Sequence, residues 1–352
     1  MRAVRGVVQH YAWGDTAYLP HLLGAPADGR PWAEWWLGTH PAGPARLVDG
    51  GSLAQVAGHL PYLLKVLAAA EPLSLQTHPD GATAAFGFER EERAGVPIDA
   101  PHRIYRDPYA KPEVICALTR FDALCGFRPV DDALRLLDWL GAEEVAHFLR
   151  HHGLRATVEA LYRGHVPLAP VVAACAGHTT AEAELATTLA HRYPADPSVA
   201  VTLLLNRVVL EPGEALFLGP GNLHAYVHGA GVELMGASDN VVRGGLTPKH
   251  VDVEELLRVL HIAPLHDPVV RPLEVEPGRW HYPIAGVPFE LWRLDVADEM
   301  VHEATGRELL VCTAGDADTI AHGHAVYLAP GERIRMEGES TVFRATERVA
   351  TA

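Results

Sequence analysis

The spacing of hydrophobic residues changes near residue 129 and separates strand-rich from helix-rich parts of the chain. Before this point, short apolar runs such as "PYLLKVLAAAEPLSLQTH" and "KPEVICALT" are broken by Gly, Pro and Asp, as is typical of β-strands. After it, "DDALRLLDWLGAEEVAHFLRHHGLRATVEALYRGH" carries apolar residues at steps of three and four, which predicts helices with Asp131 as an N-cap. A second helical run, "TAEAELATTLAHRY", follows, and "DPSVAVTLLLNRVVL" predicts a helix that leads into a strand.

Beyond this segment the strand pattern resumes to the end, apart from a predicted helix at "HVDVEELLRVL", and it contains an internal repeat. "GEALFLGPG" (213–221) and "GHAVYLAPG" (323–331) both bring an apolar strand into a Pro-Gly turn, a pattern that suits small antiparallel barrels. Three residues after each repeat stand His224 in one copy and Ile334 in the other. This asymmetry favours one functional barrel and one structural barrel.

The pattern therefore predicts a mainly β chain with a helical insert, divided into three units. Residues 1–128 together with 206–255 form the first, functional barrel, 129–205 form the helical insert, and 256–352 form the second barrel. A chain of 352 residues is too long for one ordinary core, which agrees with such a division.

The stretch "LSLQTHPDG" (73–81) places three polar side chains on one face of a predicted strand. Side chains two residues apart point the same way in a strand, so Ser74, Gln76 and His78 share a face. Such a face is either exposed to solvent or the floor of a polar site. The spacing alone leaves both interpretations open.

Composition narrows the possible partners and the cellular compartment. A formal charge of -15 argues against nucleic acid, whose binding needs clustered Lys and Arg, but it leaves room for a small anionic substrate. The four cysteines are scattered and are expected to be reduced and buried. The apolar core of a signal peptide and any run of membrane-spanning length are both absent, so we expect a cytoplasmic protein that does not bind membranes.

Longer motifs resemble a known family. "GEALFLGPGNLH" is similar to the second motif of the cupin barrels, which bind a metal. "HAYVHGAGVELMGASDNVVRGGLTPKHVDV" (224–253) resembles the long signature of the type I phosphomannose isomerases, "YRDPYAKPE" (105–113) resembles their second signature, and "PWAEWWLGTHPAGPA" (31–45) resembles their N-terminal block. The similarity spans the first barrel and the helical insert, and it is weaker in the last hundred or so residues.

The resemblance implies a fold, a reaction and a cofactor. It implies two cupin-like jelly-roll β-barrels with an α-helical domain, in a monomer that binds a sugar phosphate. It also implies a zinc-dependent aldose–ketose isomerase that interconverts mannose 6-phosphate and fructose 6-phosphate through an enediol. The family's single zinc ion would be held by Gln76, His78, Glu113 and His224. Two imidazoles, a carboxylate and a neutral amide oxygen are a suitable donor set for a divalent ion.

The isomerisation also needs a general base and groups that bind the substrate. Lys111, Glu233 and Asp239 are the candidate bases near the signatures, although Glu233 could equally have a structural role. Arg243 is predicted to stabilise an enediolate or to bind phosphate, and it matches an arginine of the family. Further candidates for substrate binding are Ser74 and Lys249.

Two departures from the family pattern bear on the substrate. Gly81 stands where many members have Lys, and Ala110 stands where they have His, so two cations near the expected pocket are missing. An isomerase of free mannose or a related unphosphorylated sugar is therefore an alternative. A metal-dependent cupin oxygenase is less favoured because Gln76 replaces a histidine, and an inactive sugar-binding cupin is least favoured because all the expected ligands are present.

Overall fold

The fold is mainly β with a helical insert, as the apolar periodicity predicts, but three helices, the longest of them Gly81–Arg93, lie before residue 129 where only strands were predicted. The computed structural model describes residues 1–348. Its strands are β1 (Arg2–Arg5), β2 (Val7–Gln9), β3 (Glu34–Gly38), β4 (Arg46–Leu47), β5 (Tyr62–Ala69), β6 (Leu75–Thr77), β7 (Glu113–Ala117), β8 (Phe121–Phe127), β9 (Leu205–Leu210), β10 (Ala215–Leu218), β11 (His224–Gly236), β12 (Val242–Gly245), β13 (Val269–Val270), β14 (Leu273–Glu276), β15 (Arg279–Tyr282), β16 (Phe289–Val296), β17 (Glu299–Glu303), β18 (Glu308–Gly315), β19 (Ala325–Leu328), β20 (Arg333–Glu337) and β21 (Ser340–Glu347). Its helices are α1 (Tyr18–Leu22), α2 (Leu53–Ala57), α3 (Gly81–Arg93), α4 (Val130–Leu140), α5 (Glu143–Tyr162), α6 (Leu168–Cys175), α7 (Ala181–Arg192), α8 (Ser198–Thr202) and α9 (Val253–Val259).

Two large antiparallel sheets contain most of the strands. The first sheet has 11 strands, with the central order β13-β10-β7-β11-β5-β3-β2 and with β6, β8, β9 and β12 attached beside β11. The second has eight strands in the order β14-β15-β16-β21-β18-β19-β1-β4. In the part of the chain that the structure describes, no helix combines the length and the apolarity needed to cross a membrane.

Strand pairing crosses the boundaries predicted for the three units. The N-terminal strand β1 pairs with β19 and β4, so the first residues of the chain belong to the second sheet. Conversely, β13 lies beyond residue 256 but pairs with β10 in the first sheet. The division at residues 128, 206 and 256 remains a prediction, and these exchanges show that each predicted barrel contributes strands to the other sheet.

The two sheets bury a common apolar core between them. Residues from β5 of the first sheet and from β16, β18 and β21 of the second belong to the same buried cluster. Polar contacts also cross this interface. The Tyr62 hydroxyl donates to the backbone carbonyl of Arg307 at 2.9 Å, and Cys116 Sγ lies 3.0 Å from the Tyr282 hydroxyl. Burial of this shared surface stabilises both sheets together.

The internal repeat of the sequence appears as β10 and β19. Each is a four-residue strand followed by a turn, with Gly221 and Gly331 at φ values of 73° and 78° that favour glycine. Three residues later, His224 begins β11, whereas Ile334 is buried in the apolar core of the second sheet. The two copies thus use the same turn, but only the first supplies a polar ligand.

The helical insert packs against the edge of the first sheet that carries β6 and β12. Its apolar residues share a core with α3, α9 and parts of β8 and β12. The Tyr162 hydroxyl donates to the carbonyl of Gly244 at 2.7 Å and so ties the insert to β12. The predicted N-cap at Asp131 is wrong. The α4 helix begins at Val130 because the extended backbone of Pro129 serves as its cap, and Asp131 lies in its first turn.

A buried carboxylate stabilises the second sheet. Glu308 is fully buried and accepts hydrogen bonds from Arg344 and from Nε2 of His302, the latter at 2.6 Å. Burial alone would raise the pKa of Glu308, but these two partners lower it to about 2. The side chain is therefore ionised at neutral pH and forms a structural ion pair inside the sheet.

Candidate metal centre and active site

Three predicted ligands converge because each lies at an end of a strand in the first sheet. Glu113 begins β7, His224 begins β11, and His78 directly follows β6. One potential ligand atom from each lies within 4.8 Å of the other two, and all three side chains are buried. Nε2 of His78 lies 3.2 Å from Oε2 of Glu113, and Nε2 of His224 lies 3.4 Å from the same oxygen.

Hydrogen bonds on the far side of each imidazole orient the ring. His78 Nδ1 lies 2.7 Å from the carbonyl of Asn240, and His224 Nδ1 lies 3.0 Å from the carbonyl of Asn222. A carbonyl can only accept a hydrogen bond, so Nδ1 carries the proton in both rings. Burial lowers the pKa of His78 to about 4, which makes this ring neutral near pH 7 with a lone pair on Nε2.

The atoms that face one another have no hydrogen-bond partners. Nε2 of His78, Nε2 of His224 and Oε2 of Glu113 are buried without a hydrogen bond, so their close approaches bring lone pairs together. Such an arrangement is costly unless a cation lies between the atoms. Ligand atoms around a tetrahedral zinc ion with bonds of about 2.1 Å lie about 3.4 Å apart. The observed separations of 3.2 and 3.4 Å fit a zinc ion.

Gln76 lies beside this cluster in the sheet. It is directly opposite His224 in the pairing of β6 with β11 and directly opposite Arg243 in the pairing of β6 with β12. Directly paired residues leave a sheet on the same side, so all three side chains share a face. Gln76 also lines the adjacent cavity, and its role as the fourth ligand remains a prediction.

This cavity has a volume of about 700 Å³ and contains the other predicted site residues. Among its lining residues are Ser74, Gln76, Lys111, Glu113, Glu233, Asp239, Arg243 and Lys249. The substitutions noted in the sequence do not border it, since neither Gly81 nor Ala110 is among the described residues that line the cavity. Gly81 instead begins α3, and nothing lies within 4 Å of the place where its Cβ would be.

Lys111 contacts the group formed by His78, Glu113 and His224 through Glu113. It precedes β7 instead of lying in the strand, yet its Nζ reaches to 3.0 Å from Oε1 of Glu113. Burial alone would raise the pKa of Glu113, but the facing imidazole of His78 and the ammonium group of Lys111 hold it well below its usual range. Glu113 is therefore a carboxylate, with Oε1 bound to Lys111 and Oε2 facing the two histidines.

Glu233 belongs to a buried network on the cavity wall. Its Oε1 accepts a hydrogen bond from the Tyr226 hydroxyl at 2.7 Å, and its Oε2 accepts one from Nζ of Lys65 at 3.0 Å. Lys65 also lies 3.6 Å from Oε1 of Glu34, whose other oxygen binds the indole N–H of Trp36 at 2.7 Å. Both oxygens of Glu233 are therefore occupied in this arrangement.

The side chain of Asp239 is partly exposed at the cavity. Its carboxylate lies 3.5 Å from Nε2 of the buried His40 and is 42% exposed, so it remains accessible to a ligand. Its backbone N–H donates to Asp107 at 2.8 Å.

Several cavity residues were missed by the sequence analysis. Lys65 and Glu34 are single charges in the apolar strands "YLLKVLAA" and "EWWLG", a pattern that signals a buried ion pair because Lys and Glu are rarely buried alone. Arg106, which also lines the cavity, gave no such signal because it lies in a polar loop. Asn240 was missed as well, since its role depends on contacts that are distant in sequence.

Comparisons with known proteins agree with these features. A family model described as phosphomannose isomerase type I, catalytic domain, matches residues 49–130. The mannose-6-phosphate isomerase of Escherichia coli (strain K12) is 32% identical over 366 residues, covering 94% of this chain and 93% of the relative. The mannose-6-phosphate isomerase of Homo sapiens is 33% identical over 314 residues, covering 73% of this chain and 72% of the relative.

A solved structure of a mannose 6-phosphate isomerase is similar to this chain over the whole fold. The mannose 6-phosphate isomerase of Salmonella typhimurium, crystallised with its substrate and a zinc atom bound, has a TM-score of 0.87 and 31% sequence identity to this chain. The structural alignment covers 99% of this chain and 100% of that chain.

Proposed function

This chain belongs to the type I phosphomannose isomerase family, and on that premise we propose that it interconverts mannose 6-phosphate and fructose 6-phosphate with one zinc ion. One observation carries the proposal. Buried ligand atoms without hydrogen bonds converge on Glu113, and Glu113 lines the same cavity as Arg243 and Lys249. The cavity thus combines a cation site with groups that attract an anion.

The proposed zinc ligands are His78, Glu113 and His224, with Gln76 as the fourth. The two histidines are held with Nε2 free, and the ionised Glu113 supplies a negative charge. The neutral amide oxygen of Gln76 is a weaker donor and leaves the site positively charged overall. When bound, zinc polarises the sugar oxygens at C1 and C2 and stabilises the negative charge that develops on them.

The proposed catalytic residues are Lys111, Glu233 and Arg243. Lys111 lines the cavity next to Glu113, so we assign it to proton transfer near C1 and C2. Glu233 has both oxygens hydrogen-bonded, which suits it to fix the charge of Lys65 and the wall of the cavity. Arg243 lies on the same face as Gln76 and stabilises the charge of the substrate.

The groups proposed to bind the phosphate are Ser74, Arg243 and Lys249. Within the described residues, neither Arg243 nor Lys249 has a carboxylate at ion-pair distance, so both can bind an anion. This arrangement favours the phosphorylated sugar over free mannose. The substitutions at Gly81 and Ala110, which suggested the free sugar, are not at the cavity wall.

We further propose that the chain acts as a monomer in the cytoplasm. Its four cysteines are free and buried, which fits a reducing compartment. Size-exclusion chromatography with light scattering tests the monomer: a mass near 38.1 kDa supports it and twice that mass contradicts it.

The function is tested by coupled turnover assays on mannose 6-phosphate and on free mannose, using zinc-loaded and chelator-treated protein. We expect turnover of the phosphosugar that is lost with the metal and returns when zinc is added. His224→Ala should lose bound zinc by elemental analysis as well as activity. His228→Ala is the matched control, because His228 lies on the same strand but is exposed.

Three results would contradict the proposal. Turnover of free mannose without turnover of the phosphosugar would establish the alternative isomerase. If the zinc-bound protein turns over neither sugar, the isomerase function is refuted and only the assignment of the fold remains. Equal zinc content in His224→Ala and wild-type protein would refute the ligand assignment.

For Lys111, we expect Lys111→Met to retain zinc while losing exchange of the sugar C1 and C2 protons with deuterated solvent.

A further inference from the structure

Arg106 is held at the cavity by a buried asparagine. Its backbone N–H donates to Oδ1 of Asn240 at 2.7 Å. Nδ2 of Asn240 donates to the carbonyls of Asp107 and Tyr109 at 2.8 and 2.9 Å, and Asn240 itself is fully buried. The loop that carries Arg106 therefore has a fixed backbone, while the guanidinium group is exposed and lines the cavity.

Few cations of this protein lack a counterion. Within residues 1–348, the lysines and arginines whose side chains have no carboxylate at ion-pair distance are Arg5, Arg46, Arg106, Arg120, Arg243 and Lys249. Of these six, Arg106, Arg243 and Lys249 line this one cavity. A chain with a formal charge of -15 has carboxylates to spare, so unpaired cations in one place indicate a site for an anionic ligand.

The three cations also influence one another. Burial, and then the charge of Arg106, lowers the pKa of Arg243. Burial, followed by the charges of Arg243 and Arg106, lowers the pKa of Lys249. Like charges brought this close repel one another, and a bound anion removes the repulsion.

The sheet register places Arg243 next to Gln76 and two strands away from His224. Arg243, Gln76 and His224 are opposite one another on β12, β6 and β11. Adjacent strands lie about 4.8 Å apart, so the Cα of Arg243 is about 10 Å from that of His224. In a hexose 6-phosphate, the phosphate is likewise at the opposite end of the sugar from C1 and C2.

We propose that Arg106 is a specificity-determining residue that binds the phosphate of the substrate together with Arg243 and Lys249. It supplies a cation to the cavity wall from the loop before β7. The inference rests on the proposed function, since it identifies the end of the cavity that binds phosphate. A guanidinium group suits this role because its N–H donors match two phosphate oxygens.

The test compares Arg106→Gln and Arg106→Lys with Arg120→Gln. Arg120 is the matched control because it is also exposed and unpaired but does not line this cavity. Binding of inorganic phosphate is measured by calorimetry, and KM and kcat are measured with mannose 6-phosphate. For Arg106→Gln we expect both the Kd for phosphate and KM to rise about tenfold, the effect of one charge-assisted contact, with kcat within about twofold of wild type. Arg106→Lys should recover part of the affinity, and Arg120→Gln should behave as wild type.

The outcomes separate this inference from the proposed function. If Arg106→Gln binds phosphate as tightly as Arg120→Gln does, the inference is overturned, whatever the activity of the wild-type protein. A loss of kcat in Arg106→Gln without a change in KM also overturns it. If the zinc-loaded wild-type protein binds phosphate about tenfold more tightly than Arg106→Gln but does not turn over mannose 6-phosphate, the anion site stands and the isomerase proposal fails.

Discussion

Replacing Lys65 with Met tests whether the cavity wall depends on a buried ion network. Only 6% of Lys65 is exposed, and its Nζ lies 3.0 Å from Glu233 and 3.6 Å from Glu34. Removing the cation leaves two buried carboxylates without their shared partner. Loss of one partner from a buried ion pair costs about 3–5 kcal/mol, so we expect Lys65→Met to lower the free energy of unfolding by that amount.

Replacing Glu233 should cost much less. Burial raises the pKa of Glu233 even though Lys65 acts in the opposite direction. Burial alone would lower the pKa of Lys65, but attraction by Glu233 and Glu34 raises it instead. The two shifts show that Lys65 keeps its charge and that burial makes Glu233 costly to ionise, and Lys65 still has Glu34 as a partner when Glu233 is replaced. Glu233→Gln is neutral and of the same shape, and it should cost no more than about 2 kcal/mol.

Urea unfolding of chelator-treated protein measures both values without a contribution from bound metal. The double variant Lys65→Met/Glu233→Gln should lose less stability than the sum of the two single variants, because it no longer leaves Glu233 as an unpaired carboxylate. Lys249→Met is the matched control for loss of an exposed, unpaired lysine and should lie within about 0.5 kcal/mol of wild type. If Lys65→Met costs less than about 1 kcal/mol, or no more than Glu233→Gln, the network does not stabilise the wall as argued.

Four further substitutions probe the second sheet, the end of β12 with a control at the start of α3, and the loop at the cavity. The pKa of Glu308 is about 2 in the folded protein against a usual 4.5, so its contribution to stability is complete above pH 4.5 and is lost as the pH falls towards 2. This loss is about 3 kcal/mol. When the free energy of unfolding is measured in urea across this pH range, it should depend less steeply on pH in Glu308→Gln than in the wild-type protein. A Cβ on Gly245, at φ 129°, would lie 2.2 Å from Oγ of Ser198, so Gly245→Ala should cost about 2–4 kcal/mol in the same unfolding assay. Gly81→Ala meets no neighbour within 4 Å and should be neutral or stabilising by up to about 1 kcal/mol; equal costs for the two glycines would contradict the steric reasoning. Asn240→Ala should raise KM for mannose 6-phosphate about tenfold, because it removes the hydrogen bond to the backbone of Arg106. The variant should keep its zinc, because the backbone carbonyl that orients His78 remains. Loss of zinc would show that the side chain also supports the metal site.

The local pattern predicted most elements of the fold, but it missed the helices before residue 129 and did not identify all strand partners. Apolar periodicity located the helical insert, and the repeat located the two matching strands, because both depend on neighbouring residues. The pairing of β1 with β19 joins residues more than three hundred positions apart, and a four-residue strand contains nothing that specifies so distant a partner. Such pairings are decided by the common core between the sheets, which forms only in three dimensions.

Some residues of the candidate site were likewise predicted from the sequence, and others were found only in the structure. His78, Glu113 and His224 were predicted as ligands from motifs with fixed residue order, and the structure brings their side chains together. Lys65 and Glu34 were overlooked, although a single charge in an apolar strand is a usable signal of a buried pair. These two residues come from different strands, so only the structure shows that they meet at Glu233.

Positive charge at the cavity shows most clearly what sequence position leaves undetermined. An anion responds to the sum of nearby charges, and a cation can reach the same point in space from different backbone positions. The absence of cations at Gly81 and Ala110, neither of which lines the cavity, therefore does not by itself remove a phosphate site. Arg106 reaches the cavity from a loop that Asn240 holds in position, and within the described chain it has no competing carboxylate. Under the proposal that Arg106 binds the phosphate, substrate preference depends on which cations remain unpaired around the cavity, and those pairings are seen only in the structure.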